Sequence, residues 1–294
     1  MFLTKKSTQA ENYLNSSNFC DDIIYLDEPK KGLNNLLNNI SSIIKNVHKI
    51  NNYNFDKCFV FHPSLRYLII AKFSKIKEIW GLGLKFQNFL LNKNRKLYNN
   101  FFSKTVENDN EALEFVKKIT NLNDIKFKPL YSLEYKLRDT VGIIIAASGH
   151  EKRWSILNYI EVINFLIQKD YKKFLIISGV DQFNEEDSIK NYFGSKIEIF
   201  YTSNKKIKDV VPILKKCKFC IGNDTGFSHL SVNLDIPTLI IHGDCPPQFY
   251  SNLIKHIDKD PSIARSASSI HTITANKVIN ELSFFISGRD GRVV

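Results

Sequence analysis

One stretch of the sequence brings together glycine, amide, carboxyl, hydroxyl and imidazole side chains: Gly222-Asn-Asp-Thr-Gly-Phe-Ser-His229. It follows an apolar run and precedes a short helical pattern, so it is predicted to lie where a strand ends and a helix begins. Asp224 or Thr225 can cap the first turn, and Gly226 lets a ligand approach the backbone. The N–H groups of a helix start favour phosphate. His229, one turn past Thr225, can point into the same pocket; an ordinary capped turn is the alternative.

A second stretch, Ser148-Gly-His-Glu-Lys152-Arg153-Trp154, also leaves a predicted strand in the same half of the chain. A Lys and an Arg beside a small hydroxyl residue can hold a diphosphate without a metal ion. Taken alone, the pattern slightly favours a solvated basic loop in which Trp154 is a hydrophobic staple. Two such loops at strand ends of one sheet strengthen the functional interpretation of both.

Other patterns are less specific. The segment 243–248 follows the last predicted strand and either shapes a cleft or forms a plain turn. The segment 62–66 either meets a second substrate or starts a helix. Asp181 or Glu185 could accept a hydrogen bond from a ribose hydroxyl, although free acidic loop residues are the simpler interpretation. Cys217-Lys-Phe-Cys220 lacks the second ligand pair of a zinc site and is predicted to be buried in a strand.

The rest of the chain alternates short apolar runs with helical periodicity. Strands are predicted at 22–26, 58–62, 78–81, 141–147, 174–179, 197–201, 218–222 and 238–242, helices at 33–47, 66–73, 111–119, 156–166, 210–214, 227–234 and 278–286, and a loop at 84–106. Gly288 is expected to end the last helix. This order predicts an α/β protein with parallel sheets that are covered on both faces.

The polar stretch 127–139 suggests a domain boundary, which gives a first domain of residues 1–133 and a second of residues 134–294. We expect two doubly wound domains that face each other across a cleft, with ligands at the carboxyl ends of the strands.

Composition excludes several classes of protein. The 294 residues are 43% hydrophobic and 24% charged, which indicates a globular chain. There is neither an apolar run of about 18 residues nor the apolar core of a signal peptide. Five irregularly spaced cysteines fit a reducing compartment. The net charge of +11 suits nucleic acid, an anionic membrane surface or a phosphorylated substrate, but the lysines are dispersed, so specific nucleic-acid binding is not expected.

The segment 222–230, followed by Asp235-Ile-Pro-Thr238 and Gly243, resembles the nucleotide-binding region of the heptosyltransferase-like glycosyltransferases of family 9. Ser148-x-x-x-Lys152-Arg-Trp154 resembles their second donor-site motif, and the first half fits their acceptor domain more loosely. The resemblance implies the GT-B fold, in which the second domain holds the donor. It also implies inverting transfer of a sugar, commonly heptose, from a nucleotide diphosphate sugar to lipopolysaccharide core or another cell-envelope glycan, with no metal and no further cofactor.

The same resemblance implies a set of donor-binding residues: Ser148, Lys152, Asp224, Thr225, Gly226 and His229. Ser148 and Lys152 would hold the diphosphate, and the other four would bind phosphate and sugar. Lys152 and the helix N–H groups would stabilise the charge that gathers on the leaving diphosphate.

The family pattern begins with a strand and a Gly-Asp loop, whereas Met1-Phe-Leu-Thr4 aligns with the second strand. The Asp expected as general base therefore has no counterpart, the catalytic residue stays unassigned, and a start upstream of Met1 is expected. The expected partners are a nucleotide diphosphate sugar and a lipid-linked or phosphorylated glycan acceptor, met in the cytoplasm at the inner face of the inner membrane. A non-catalytic nucleotide-sugar binding protein, an epimerase of the same architecture and a nucleic-acid binder are the alternatives.

Overall fold

The computed structural model describes the chain except for residues 9, 15–19, 29–35, 62–63, 83–88, 91–96, 99–115, 118–119, 121–137, 148, 180, 204 and 291–294. The chain divides into two compact units, residues 1–125 and residues 126–294. The boundary expected between residues 133 and 134 falls outside the described residues. None of the described helices is both long enough and apolar enough to cross a membrane.

The first unit contains two small parallel sheets. Its elements are β1 (Phe2–Lys5), α1 (Glu11–Leu14), β2 (Ile23–Leu26), α2 (Leu36–Asn51), β3 (Lys57–Val60), α3 (Leu65–Phe73), β4 (Glu78–Leu82) and β5 (Leu97–Tyr98). One sheet pairs β1 with β2, and the other has the order β3-β4-β5. Buried side chains from β2, β3, β4 and the helices α2 and α3 form its core.

The second unit is built on one parallel sheet of six strands in the order β11-β10-β9-β6-β7-β8. Its elements are β6 (Thr140–Ile144), α4 (Ile156–Gln168), β7 (Lys173–Ile177), α5 (Phe183–Phe193), β8 (Glu198–Tyr201), α6 (Ile207–Leu214), β9 (Cys217–Asn223), α7 (Gly226–Asn233), β10 (Thr238–Ile241), β11 (Ile254–Ile257) and α8 (Ala275–Asp290). Val141 and Ile143 of β6 belong to one core cluster, whereas Ile144 belongs to a second. Because successive strand residues face opposite sides, the sheet is covered on both faces.

A bulge in β9 places the two cysteines of the Cys217–Cys220 pair on one face of the sheet. Thr140 of β6 pairs with Cys217 and Val141 pairs with Phe219, so one residue of β9 is left over. Both thiols are buried, and Cys220 packs so closely over Gly142 that a side chain there would overlap its sulfur. The prediction that these cysteines are buried strand residues is confirmed.

The predicted order of strands and helices is confirmed for most of the described chain, with five differences, the first of which is the unpredicted short helix α1. Helix α5 and strand β11 were not predicted, because α5 is mostly polar and β11 has only two apolar residues. The two-residue strand β5 lies inside a segment predicted as loop. Helix α8 continues through Gly288, which costs only about 1 kcal/mol in a helix that is otherwise packed. The predicted helix at 111–119 lies largely outside the described residues.

Candidate functional site

A single buried amide joins the two predicted phosphate-binding loops. Asn223, the last residue of β9, is 1% exposed. Its Oδ1 accepts a hydrogen bond from the Trp154 N–H at 3.2 Å and lies 3.0 Å from the Tyr159 hydroxyl. Its Nδ2 donates to the carbonyl oxygens of Ile145, at 2.9 Å, and of Ala146, at 3.3 Å. The end of β9 is therefore held against the segment that follows β6.

Trp154 fixes the far end of the loop that carries Lys152. Its indole Nε1–H donates to the carbonyl oxygen of Ile273 at 2.7 Å. Its ring meets the ring of Tyr159 edge to face, with centroids 4.8 Å apart. Trp154 is thus a buried and fully bonded side chain that joins the start of α4 to the segment before α8.

Lys152 lies in a 3₁₀ turn, His150–Lys152, and its Nζ pairs with the carboxylate of Asp244. This hydrogen bond raises the pKa of Lys152. Burial would raise the pKa of Asp244, but the hydrogen bond and charge of Lys152 outweigh it, so the pKa of Asp244 is lowered. Lys152 is therefore a cation held by the segment that follows β10. The sequence placed Asp244 only in a turn, and no local signal identifies it as the partner of Lys152.

Arg153 has different partners from its neighbour Lys152. Its side chain is only 10% exposed, and its guanidinium pairs with Asp181 and donates to Glu185 Oε1 at 3.0 Å. The two acids considered for a ribose hydroxyl therefore balance the charge of Arg153. They also border a cavity of about 320 Å³ lined by His150, Arg153, Asp181, Asn184, Glu185 and Ser188.

Asp224 lies between two imidazole rings. Its Oδ1 is 3.0 Å from His229 Nε2, and its Oδ2 is 3.4 Å from His242 Nδ1. Burial alone would raise the pKa of Asp224, but the two neighbouring imidazoles outweigh it, and the pKa lies well below the usual range of a carboxyl group. Asp224 is therefore an anion at neutral pH.

Both ring nitrogens of His229 are engaged. Nδ1 lies 2.6 Å from the hydroxyl of Tyr250. Asp224 is an anion whose oxygens can only accept, so Nε2 carries a proton and donates it to Oδ1. Burial raises the pKa of Tyr250, so the phenol keeps a proton that it can donate to Nδ1. Sequence analysis did not single out Tyr250, because an aromatic residue in a polar segment carries no signal that it pairs with a histidine 21 positions away.

The start of α7 is open. Thr225 is the N-cap residue, but its side chain does not cap the helix, and its buried Oγ1 has no partner among the described residues. A Cβ at Gly226 would have nothing within 4 Å. The amides of Gly226 and Phe227 are the first of the helix and have no intrahelical acceptor. The expected side-chain cap is not formed, which leaves a hydroxyl and two amides for an anion.

The structure thus places Lys152, Asp224, Thr225, Gly226 and His229 in the second unit, on segments that follow β6 and β9. Ser148 and His62 lie outside the described residues. That the five form a donor site stays a prediction. Among the described residues, no three His, Cys, Asp or Glu side chains are arranged to hold a metal ion.

Comparison with solved structures gives the class of the fold. The Escherichia coli ADP-heptose lps heptosyltransferase II matches 96% of this chain and 88% of its own, with a TM-score of 0.72 and 16% identity. A glycosyltransferase of family 9 from Veillonella parvula DSM 2008 matches 97% of this chain and 87% of its own, with a TM-score of 0.69 and 15% identity. The fold is that of the GT-B-like glycosyltransferases, as predicted.

Comparison with sequences gives the family. The model of glycosyltransferase family 9 (heptosyltransferase) matches residues 43–268, so the chain belongs to this family. The lipopolysaccharide heptosyltransferase 2 of Salmonella typhimurium strain LT2 is 23% identical over 224 residues. That match spans 69% of this chain and 64% of the relative, a little under two thirds of the relative's length.

Proposed function

We propose that the protein is an inverting, metal-independent glycosyltransferase that moves heptose from ADP-heptose, or a similar sugar from its nucleotide diphosphate, to a lipopolysaccharide-type or other cell-envelope glycan. Membership of family 9 supports the reaction class, and the relatives' names supply the sugar and the glycan. The observation that carries the proposal is the open start of α7, with the unpartnered Thr225 hydroxyl, in a segment that Asn223 joins to the loop of Lys152.

The charges of the site assign different parts of the donor to different residues. A diphosphate is an anion, so the Thr225 hydroxyl, the first amides of α7 and the Lys152 ammonium are suited to it. Asp224 is also an anion and would repel phosphate; it is suited to accept hydrogen bonds from sugar hydroxyls and to orient His229. Ser148 is proposed to bind the diphosphate beside Lys152.

The same groups provide the proposed rate acceleration. When the bond between the sugar and the diphosphate breaks, negative charge gathers on the leaving phosphate. In the proposed site, Lys152 and the first amides of α7 lie against that phosphate and stabilise the charge. In other enzymes a metal ion can supply this stabilisation. Because Lys152 and the helix amides are proposed to supply it here, the proposal includes metal independence. Inversion follows if the acceptor hydroxyl displaces the diphosphate in one step.

The two units are proposed to divide the substrates. The second would bind the donor, and the first would bind a lipid-linked or phosphorylated glycan acceptor at the inner face of the inner membrane. The excess of 41 basic over 30 acidic residues suits an anionic acceptor and an anionic membrane surface.

Turnover with ADP-heptose and a heptose-accepting core glycolipid, followed by ADP release and product mass, tests the proposal. Lys152→Ala is expected to lower kcat/KM by about a hundredfold, the usual effect of removing a group that stabilises developing charge. Lys190→Ala, in an exposed part of α5, is the matched control and should retain activity. Activity in EDTA tests metal independence. Donor binding without transfer would identify a nucleotide-sugar binding protein instead, and no binding of ADP-heptose at millimolar concentration would overturn the donor site itself.

A further inference from the structure

Two imidazole rings, one buried and one half-buried, lie next to Asp224 and are not among the residues assigned to the donor. His242 follows β10 directly and is 1% exposed. Its Nε2 lies 2.8 Å from Nδ1 of His256 in β11, and its backbone N–H donates to the Ile257 carbonyl oxygen at 2.8 Å. The other ring nitrogen, Nδ1, is buried and lies 3.4 Å from Asp224 Oδ2, a contact that helps to lower the pKa of Asp224. The ring therefore faces the Asp224 carboxylate with this nitrogen.

Proton placement in this pair is determined by its neighbours. Burial lowers the pKa of His256 to about 4, so His256 is neutral at pH 7. The Asp224 carboxylate can only accept a hydrogen bond, so His242 Nδ1, which faces it, carries a proton. The 2.8 Å contact between His242 Nε2 and His256 Nδ1 holds one proton between the two rings.

We propose that His242 is a positioning residue of the donor site, whose Nδ1–H holds Oδ2 of Asp224 so that Oδ1 stays on His229, and that His256 fixes the ring of His242. The proposal deepens the donor site described above and rests on it for its functional consequence. It extends a chain of contacts that runs from Tyr250 through His229 to Asp224. Without the hydrogen bond from His242 Nδ1–H to Oδ2, the Asp224 carboxylate can rotate or take up a proton. His229 then loses the partner that selects its Nε2–H form.

If His242 and His256 have only a structural role, different results are expected. In that case the two rings only fill space between β10, β11 and Phe249, whose ring contacts His256 with centroids 4.5 Å apart. A phenylalanine would then replace His242 well, since it conserves the aromatic ring. An asparagine would replace it badly, since it is smaller and polar.

Three variants of the full chain separate the two roles. The amide nitrogen of asparagine occupies the place of Nδ1, whereas that of glutamine reaches the place of Nε2. His242→Asn therefore keeps the donor to Asp224, His242→Gln moves it, and His242→Phe removes it. Thermal unfolding reports whether each variant folds, and if His242→Phe does not fold, the Asn and Gln variants still decide the question.

The first measurement is made on the protein without substrate. Nitrogen NMR of histidine-labelled protein gives the ring tautomer of His229, one of only seven histidines in the chain, assigned with a His229→Gln sample. We expect the Nε2–H form in the wild type and in His242→Asn, and its loss in His242→Phe and His242→Gln. An unchanged His229 tautomer in all three variants overturns the proposal, whatever the enzyme is found to transfer.

The second measurement is the KM and kcat for ADP-heptose. His242→Phe and His242→Gln should raise KM by about tenfold to a hundredfold, the effect expected of one lost hydrogen bond to a charged group, with a smaller change in kcat. His242→Asn should stay within about threefold of the wild type on the same scale. Equal losses in all three variants would show that only packing matters. If no variant and no wild type transfers sugar, the proposed function fails while the tautomer result still stands.

Discussion

The two units of this chain differ in how much of their sheet is buried. Every residue of β6 in the second unit is buried, and the six strands form one continuous sheet. In the first unit the strands belong to separate sheets of two and three, and the strand β3 is exposed at alternate residues. Large apolar side chains of its helices are also exposed, such as Leu37 at 80% and Phe73 at 70%. Precise placement of polar groups requires a rigid support, which explains why the bonded networks described above lie in the second unit.

The largest effect should come from Asn223→Ala, which tests whether buried polar bonds stabilise the second unit. The change leaves the Trp154 N–H and carbonyl oxygens after β6 without their partner in a buried place. Each such group costs about 1–3 kcal/mol, so the free energy of unfolding should fall by about 3 kcal/mol or more in urea titrations. Asn233→Ala is the control, because Asn233 makes one bond within its own helix; its loss should stay near about 1 kcal/mol. Equal losses of unfolding free energy in the two variants would show that Asn223 stabilises the unit no more than Asn233 does.

A second experiment uses Asp244, the carboxylate that pairs with Lys152. Asp244→Asn removes the anion that occupies Lys152, so ADP should bind about fivefold more tightly at low salt, an effect of about 1 kcal/mol that fades as salt increases. Calorimetry measures it, with Asp260→Asn, on an exposed turn, as the control. Weaker binding would show that Asp244 orients Lys152 rather than competing with the diphosphate.

The pH dependence of stability distinguishes His256, a half-buried histidine of the second unit, from His48, an exposed histidine of the first. The pKa of His256 is about 4 in the folded protein because of burial, against 6.5 in the unfolded chain. Between these values the unfolded chain binds a proton that the folded ring does not, so this contribution to stability is present above pH 6.5 and is lost as the pH falls towards 4. Asp224, whose folded pKa lies below its unfolded value of 3.8, loses its contribution only in more acidic solution.

Urea unfolding at pH 7 and pH 5 measures this. From pH 7 to pH 5, the free energy of unfolding should fall more in the wild type than in His256→Phe. His48→Phe, on an exposed position of α2, should follow the wild type. Parallel curves for all three proteins would contradict the assignment to His256.

The smallest effect is expected in the first unit. Leu37→Ser changes a side chain that is mostly in water already, so the free energy of unfolding should stay within about 0.5 kcal/mol of the wild type. Leu68→Ala, fully buried in α3, should cost about 2–5 kcal/mol in the same assay. A large loss for Leu37→Ser would mean that α2 buries this face, and the contrast between the two units would weaken.

Local sequence patterns predicted most strands and helices of the second unit. The elements that they missed were missed for physical reasons that can be identified. Strands such as β6 and β7 are continuous apolar runs, because both faces of the sheet are covered, and such runs are visible in the sequence. Helix α5 was missed because it lies on the surface: it buries Glu186, Ile189 and Phe193, and only the last two are apolar. Strand β11 was missed because it is a short edge strand whose two middle residues are polar.

The sequence by itself determined the alternation of strands and helices and the position of the Gly222–His229 segment at a strand end, since both depend on neighbouring residues. Only the tertiary structure decided which side chains meet there. Lys152 with Asp244, Asn223 with Trp154 and His242 with His256 are distant in the chain or belong to different strands. They meet because the sheet order places β6 beside β9 and β10 beside both β9 and β11. That order is set by packing of the whole unit, and no short segment of sequence contains it.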